Sequence, residues 1–183
     1  MLADVLSRVQ LVALLLTLGL LATSCGGGSS NGPIKIALVT DCTTSFVQFR
    51  QPVIAGAELA FLKRGAKLRG AEPSDGVTDV TVGGRRVQLL LPCETYGDFR
   101  TLLGTLGQVV ENDGAQIVVG PSYQGEGLVL TEYARRHLGI TFSTGSGEQS
   151  TTLKTPVPNL FRFAPDAAQI GRASCRERVF RVV

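Results

Sequence analysis

Residues 116–127, QIVVGPSYQGEG, restrict the possible folds more than any other stretch of the chain. Ile117, Val118 and Val119 form a short β-branched run, which reads as a central strand of a parallel sheet rather than as a helix. Pro121 has no N–H to give a ladder, so the strand stops before it. A helix-like stretch follows from about Gly125. Strand, turn and helix in this order leave free backbone N–H groups at the helix start, where small anions sit in open α/β sheets. Any βα turn shares that pattern, and the local residues do not decide whether this one binds anything.

The flanking sequence repeats the alternation. Residues 34–39 read as a short apolar strand. Phe46, Phe49, Val53, Ala57, Ala60 and Phe61 are mostly three or four apart, the spacing of an amphipathic helix over residues 46–64. Pro52 lies within that helix and suits its first turn. Residues 65–76 form a polar loop. Residues 78–82, Gly83-Gly84 and residues 86–91 read as a hairpin whose second arm enters the sheet. Leu102, Leu103, Leu106, Val109 and Val110 make residues 99–110 helical, with Asp98 as N-cap. A third helix covers residues 128–137, residues 140–143 and 160–163 read as strands, and residues 166–169 open another helix. Strands alternating with helices imply an α/β fold, a doubly wound parallel sheet with right-handed crossovers.

The two ends of the chain are of different character. Residues 1–24 carry Arg8, an apolar run from Val9 to Ala22 and then small residues before Cys25. That run is too short to cross a hydrocarbon core about 30 Å thick and suits a secretory signal. Leu21-Ala22-Thr23-Ser24-Cys25 looks like a bacterial lipobox, which makes Cys25 the expected lipidation site. GGGSSNG then forms a flexible tether over residues 25–33. At the other end IGRASCRERV, from Ile170 to Val179, resembles the translation of a common sequencing-library adapter, so residues 170–183 are read as an artefact. Without Arg172, Arg176, Arg178, Arg181 and Glu177 the formal charge falls from +3 to 0. The basic balance therefore says nothing about nucleic acid. About 140 residues then remain for the mature protein, enough for one domain at most.

Of the four cysteines, Cys42 and Cys93 lie outside the anchor and the tail, in an oxidising compartment if the chain is exported. Each follows an apolar strand. If those strands are parallel neighbours, about 4.8 Å apart, their ends come within disulfide reach. A pair of buried thiols is the alternative.

Taken together, IKIALVTDCT, AGAELAFL, the Gly83-Gly84 turn with VQLLL, IVVGPSYQGEG, LGITFSTGS and NLFRFAPD occur in the order found in branched-chain amino-acid-type substrate-binding proteins. The chain resembles these extracytoplasmic receptors of ABC importers over residues 34–169. The resemblance implies a type I periplasmic-binding fold, of which residues 34–169 are part of the N-terminal ligand-binding lobe, cut near the first crossover between lobes. It also implies capture of an amino-acid-like small solute by closure of two lobes, an ABC permease as partner, and a lipid-anchored extracytoplasmic location. Neither cofactor nor metal nor nucleic acid is implied. The ligand-facing loops would supply Thr43, Thr44 and Phe46, then Ser122, Tyr123 and Gln124, then Ser143, Thr144, Gly145 and Ser146. Their hydroxyls and backbone N–H groups could hold a carboxylate, each charge-assisted bond contributing roughly 1.5–3 kcal/mol, and Tyr123 or Phe46 could cover the apolar part. Helix capping or core packing competes with contact at each of these positions.

The chain departs from the family in its loops. Thr43-Thr44-Ser45 replaces the usual Thr-Gly-Pro, Cys93-Glu94 replaces an acidic pair, and the ligand loop reads STGSGEQS. These changes leave the ligand open among amino acids, amides, urea and aromatic acids. An enzyme is not expected. His137, the one histidine, sits at a helix end where it caps carbonyls, and neither metal-spaced ligands nor a nucleophile elbow is present. Glu94 and Asp98 read as surface loop acids. The alternative with the same fold is the sensing ectodomain of a signalling receptor, and neighbouring permease or kinase genes would tell the two apart.

Overall fold

The structure, a computed structural model, describes residues 32–154 and 156–171. The expected signal peptide, Cys25, most of the tether and residues 172–183 of the adapter-like tail lie outside the described residues.

Among the described residues the strands and longer α-helices follow in the order β1 (Ile34–Leu38), β2 (Thr40–Asp41), α1 (Arg50–Leu62), β3 (Val80–Val82), β4 (Arg85–Leu90), β5 (Cys93–Glu94), α2 (Phe99–Gly107), β6 (Ile117–Val119), α3 (Glu126–Arg136), β7 (Thr141–Thr144) and β8 (Leu160–Arg162), with residues 167–171 helical after β8. Six of the strands form one sheet in the order β3-β4-β1-β6-β7-β8. Every pairing in it is parallel except β3 with β4, the hairpin at one edge. Gly83 and Gly84 turn that hairpin with φ of 57° and 76°, values that a two-residue turn matching strand twist requires. The chain order 1, 4 and 6 on neighbouring strands is the doubly wound pattern expected from the sequence.

One row of side chains shows why the strands are apolar throughout. In register across five strands stand Leu90, Ala37, Val118, Phe142 and Leu160. All five pack in the core with Leu102 and Leu106 of α2 and Leu130 and Ala134 of α3. The alternate residues Ile34, Ile36 and Leu89 point to the other face, where Phe61 of α1 meets Val77, Val80 and Val87. A strand buried on both faces leaves no polar alternation to read.

Helix α1 differs from the expected stripe. Ile54, Glu58 and Phe61 are its buried residues, whereas Phe49 and Val53 are about half exposed, at 48 % and 46 %. The apolar spacing fitted two faces of the helix, and a buried glutamate hid the true one. Gln51 fixes the same helix to the loop before β3, its amide donating to Ser74 Oγ and its carbonyl accepting from the Ser74 N–H, both at 3.0 Å. Pro52 falls in the first turn, where its missing N–H costs no bond. Asp98 caps α2 as expected, accepting from the N–H groups of Arg100 and Thr101. The last carbonyls of α3 are closed from outside the helix. The Asn159 amide donates to Ala134 O, His137 O and Ile140 O at 2.8–3.1 Å. His137 stacks on Tyr133 with ring centroids 4.0 Å apart and sets Nδ1 2.8 Å from Tyr133 O.

Candidate functional site

The loops that follow β1–β2, β5, β6 and β7 all leave the sheet at its C-terminal edge, where an open α/β sheet binds ligands. Gly120 makes the β6 turn possible. Its φ is +88°, and a Cβ there would lie 2.5 Å from Val39 O. The chain then passes through a cis Gly120-Pro121 bond to Ser122 and Tyr123.

The first and second loops are joined twice. β2 and β5 pair in parallel, Thr40 with Cys93 and Asp41 with Glu94, and Cys42 and Cys93 are bonded with a Cα–Cα distance of 5.5 Å. Asp41 organises both loops. It is 2 % exposed, and its carboxylate accepts from the N–H groups of Thr43, Thr44 and Tyr96 and from the Thr44 hydroxyl. Burial opposes its charge, but the Thr44 hydroxyl and those N–H groups outweigh burial and hold the carboxyl below its ordinary range.

Tyr96, whose N–H binds Asp41, belongs to a group of three rings. Phe46 and Tyr123 have centroids 4.4 Å apart, Phe46 and Tyr96 4.6 Å, and Tyr96 and Tyr123 5.0 Å. All three are partly exposed. Phe46 therefore packs with Tyr96 and Tyr123 at the strand ends and not in the core of α1. Beside them, Glu94 and Glu126 are each 1 % exposed. Glu126 Oε1 accepts from the Gly97 N–H at 3.1 Å, while Glu126 Oε2 and both oxygens of Glu94 have no hydrogen-bonded partner. Burial, then the charges of Glu126 and Asp41, push the Glu94 carboxyl up to about 8. Glu94 is thus a buried acid, not the surface loop acid its sequence context suggests, whereas Asp98 is an exposed helix cap.

The expected carboxylate donors fare unevenly. The Thr44 hydroxyl is committed to Asp41. Thr43 Oγ1 donates to Thr95 Oγ1 at 3.0 Å. Thr144, fully buried, donates to Pro121 O and accepts from the Ser146 N–H. Ser146 is also fully buried, against Gly127 in the first turn of α3, where a Cβ would meet it at 2.6 Å. Ser143 is half-buried in β7, and its carbonyl accepts from the Gly120 N–H. Gly145 packs on Ser122, which together with Gln124 is exposed. The structure thus brings Thr44, Phe46, Ser122 and Tyr123 to one edge; the hydroxyls of Thr43, Thr44 and Thr144 are committed within the protein, whereas Ser146 Oγ is buried without a partner. The start of α3, expected to favour an anion, carries the Glu126 side chain instead. Sequence reasoning missed Asp41, Tyr96 and Glu126. Pairing of the two cysteines would have pointed to the first two, because it sets residues 41 and 94–96 side by side. Among the described residues no group of three potential ligands could hold a metal ion, and no helix is long and apolar enough to cross a membrane.

No protein-family model matches the chain, and no curated protein sequence does. Solved structures do. A solute-binding protein of an ABC transporter from R. palustris, in complex with benzoate, superposes with a TM-score of 0.62 at 21 % identity, over 78 % of this chain and 35 % of that one. The fold is that of type I periplasmic-binding proteins. A leucine-binding protein from Thermotoga maritima is similar at TM-score 0.60 and 17 % identity, covering 77 % of this chain and 35 % of its own. An ABC-type branched-chain amino acid transporter protein from Rhodopseudomonas palustris matches at TM-score 0.58 and 16 % identity, over 74 % and 33 %. The chain spans about a third of the length of these type I proteins.

Proposed function

We propose that residues 34–169 are part of the N-terminal lobe of an extracytoplasmic solute receptor that serves an ABC importer. The observation that carries this reading is the convergence of four loops at the C-terminal edge of a type I sheet, with Phe46, Tyr96 and Tyr123 presented on one face. A jaw of this kind binds by closing on a small solute against an opposing lobe, and the closed complex is what a permease recognises. Solved proteins with this fold are described as holding benzoate, 4-hydroxybenzoate and 3,4-dihydroxybenzoic acid, and one is a leucine-binding protein. Export on residues 1–24 and a lipid on Cys25 complete the proposal, and binding rather than catalysis is the whole of its chemistry.

Two measurements test it. A calorimetric panel of amino acids, aromatic acids and small amines on the complete protein should reveal micromolar binding of at least one member. Metabolic labelling with a radioactive fatty acid should mark the wild type and spare Cys25→Ser. A complete protein that binds no small solute would overturn the receptor reading. A label retained in Cys25→Ser would overturn the anchor. Permease and ATPase genes beside the receptor gene would favour import over sensing.

A further inference from the structure

Arg50, the first residue of α1, stands beside the loops of the binding edge without a partner for its charge. Its side chain is half-buried, and its Nε is buried with no hydrogen-bonded partner. Among the described residues neither a hydrogen bond nor an ion pair engages the rest of the guanidinium. Arg162 makes the contrast. Its guanidinium, 9 % exposed, donates to Glu148 O at 3.0 Å and to the Asp166 carboxylate at 3.1 Å. A cation taken out of water ordinarily has partners of that kind.

The recess that Arg50 lines is the second observation. It has a volume of about 30 Å³ and is shared with Asp41, Phe49, Val53, Ser122 and Tyr123. That is room for one small polar group and not for a whole solute. Ser122 is exposed, and among the described residues neither its hydroxyl nor that of Tyr123 is hydrogen-bonded. Phe49 and Val53 add an apolar rim, since each is about half exposed. Asp41 does not cancel the cation. No ion pair joins it to Arg50, and its carboxylate is taken up by the N–H groups of Thr43, Thr44 and Tyr96 and by the Thr44 hydroxyl. Glu94, raised to about 8 chiefly by burial, adds little charge at neutral pH, and burial raises Glu126 as well.

We propose that Arg50 anchors a carboxylate of the bound solute in this recess, with a hydroxyl proton from Ser122 or Tyr123 as a further donor. The inference rests on the receptor reading and adds a specificity residue to it. A guanidinium presents paired N–H donors in one plane, a geometry that the two oxygens of a carboxylate match and a point-like ammonium does not offer. A neutral amide of the same shape has one oxygen to accept and sets N–H groups of its own against those of Arg50. The recess therefore separates acid from amide, while the apolar rim takes the body of either.

Calorimetry on the complete protein tests this with two matched pairs, sodium benzoate against benzamide and leucine against leucinamide. At least one acid should bind roughly tenfold or more tightly than its amide, the scale of one charge-assisted bond. Arg50→Met keeps the reach of the side chain without its charge, and should weaken that acid by roughly tenfold or more. Arg50→Lys, a charge without the fork, should recover only part of the loss. Arg64→Met removes the same charge beyond the other end of α1 and should stay within about twofold of the wild type. Circular dichroism checks that each variant is folded, and Arg50→Lys carries the comparison where Arg50→Met does not fold. If the wider panel yields a tighter acid, the same variants are measured with it. An acid that binds Arg50→Met as tightly as the wild type would mean that Arg50 serves a carboxylate of the protein itself. That result would overturn the inference and leave the receptor reading intact, as would amides that bind as well as acids, or binding confined to the amines of the panel. Absence of binding by all four probes and by the panel would overturn both.

Discussion

The carboxyl groups of Glu94, at the end of β5, and Glu126, at the start of α3, are buried together, and burial followed by the charge of Glu126 keeps the Glu94 carboxyl protonated into the neutral range. Glu94 is pushed from 4.5 to about 8 by burial and by its two acidic neighbours. Over that interval the unfolded chain has released the proton while the folded chain holds it, so folding takes up a proton and stability falls as pH rises. The favourable contribution is complete below 4.5 and is lost as pH passes through about 8. Glu94→Gln removes the titration. The variant should unfold at higher urea concentration than the wild type at pH 8, by on the order of 1–2 kcal/mol, a discounted figure because the acids titrate together. The two proteins should converge near pH 5. Parallel wild-type and variant curves from about pH 5 to 8 would show that Glu94 does not keep a proton there.

Asn159 ties the end of α3 to the β7–β8 connection through one amide and three carbonyls. It is 9 % exposed, so water does not replace the lost donors readily. Asn159→Ala should destabilise by about 1–3 kcal/mol, because it takes the amide donor from Ile140 O and a second donor from Ala134 O and His137 O. Asn159→Asp keeps the shape without the donor and should lose at least as much. Urea unfolding followed by circular dichroism checks both, and a near-neutral Asn159→Asp would show that the shape of the side chain, not its N–H groups, matters.

The Cys42–Cys93 bond closes a segment with a sequence separation of 51. In the chain-entropy model a loop of that size stabilises by about 4 kcal/mol. The bond also fixes the loops that carry Phe46 and Tyr96. Mass spectrometry of the unreduced protein should find two hydrogens missing at this pair. The Cys42→Ala, Cys93→Ala variant should unfold at clearly lower urea. Two free thiols in the unreduced protein would remove the basis of both expectations.

Gly120 combines a positive φ with a close approach to the carbonyl of Val39, between β1 and β2. A side chain there is strained by its own conformation and by contact with an atom that is not free to swing away. Gly120→Ala should cost about 3 kcal/mol or more, summed from those two effects. Gly139, where a Cβ would meet nothing within 4 Å, serves as the control. Gly139→Ala should unfold within about 0.5 kcal/mol of the wild type.

How far the sequence could be read depended on whether the signal was local. The β-branched run at residues 117–119, the Gly83-Gly84 hairpin and the Asp98 cap are local chemistry, and each appears where the residues put it. Helix α1 was legible as a helix but not by face, because Phe49 and Val53 are exposed while Glu58 is buried. The site was legible as a set of loops, since strand ends in an α/β sheet converge by topology. Its chemistry was not. Whether Thr44 is free or bound to Asp41, and whether Glu94 points to water or to Glu126, depends on contacts between segments that sequence spacing does not encode.

One jaw alone should not hold a solute well. A micromolar complex requires about 8 kcal/mol, and small-molecule sites reach such values by burying most of the ligand surface. This edge offers three rings on one side only, with Phe46, Tyr96 and Tyr123 still open to solvent. Water competes there for any polar group of the solute. Residues 25–169 expressed alone should therefore show no calorimetric binding of leucine or benzoate tighter than about 1 mM, which corresponds to roughly 4 kcal/mol. The complete protein should bind its solute at least a hundredfold more tightly. Micromolar binding by residues 25–169 would mean that this lobe encloses its ligand without a partner, and closure of two jaws would no longer be needed to explain capture.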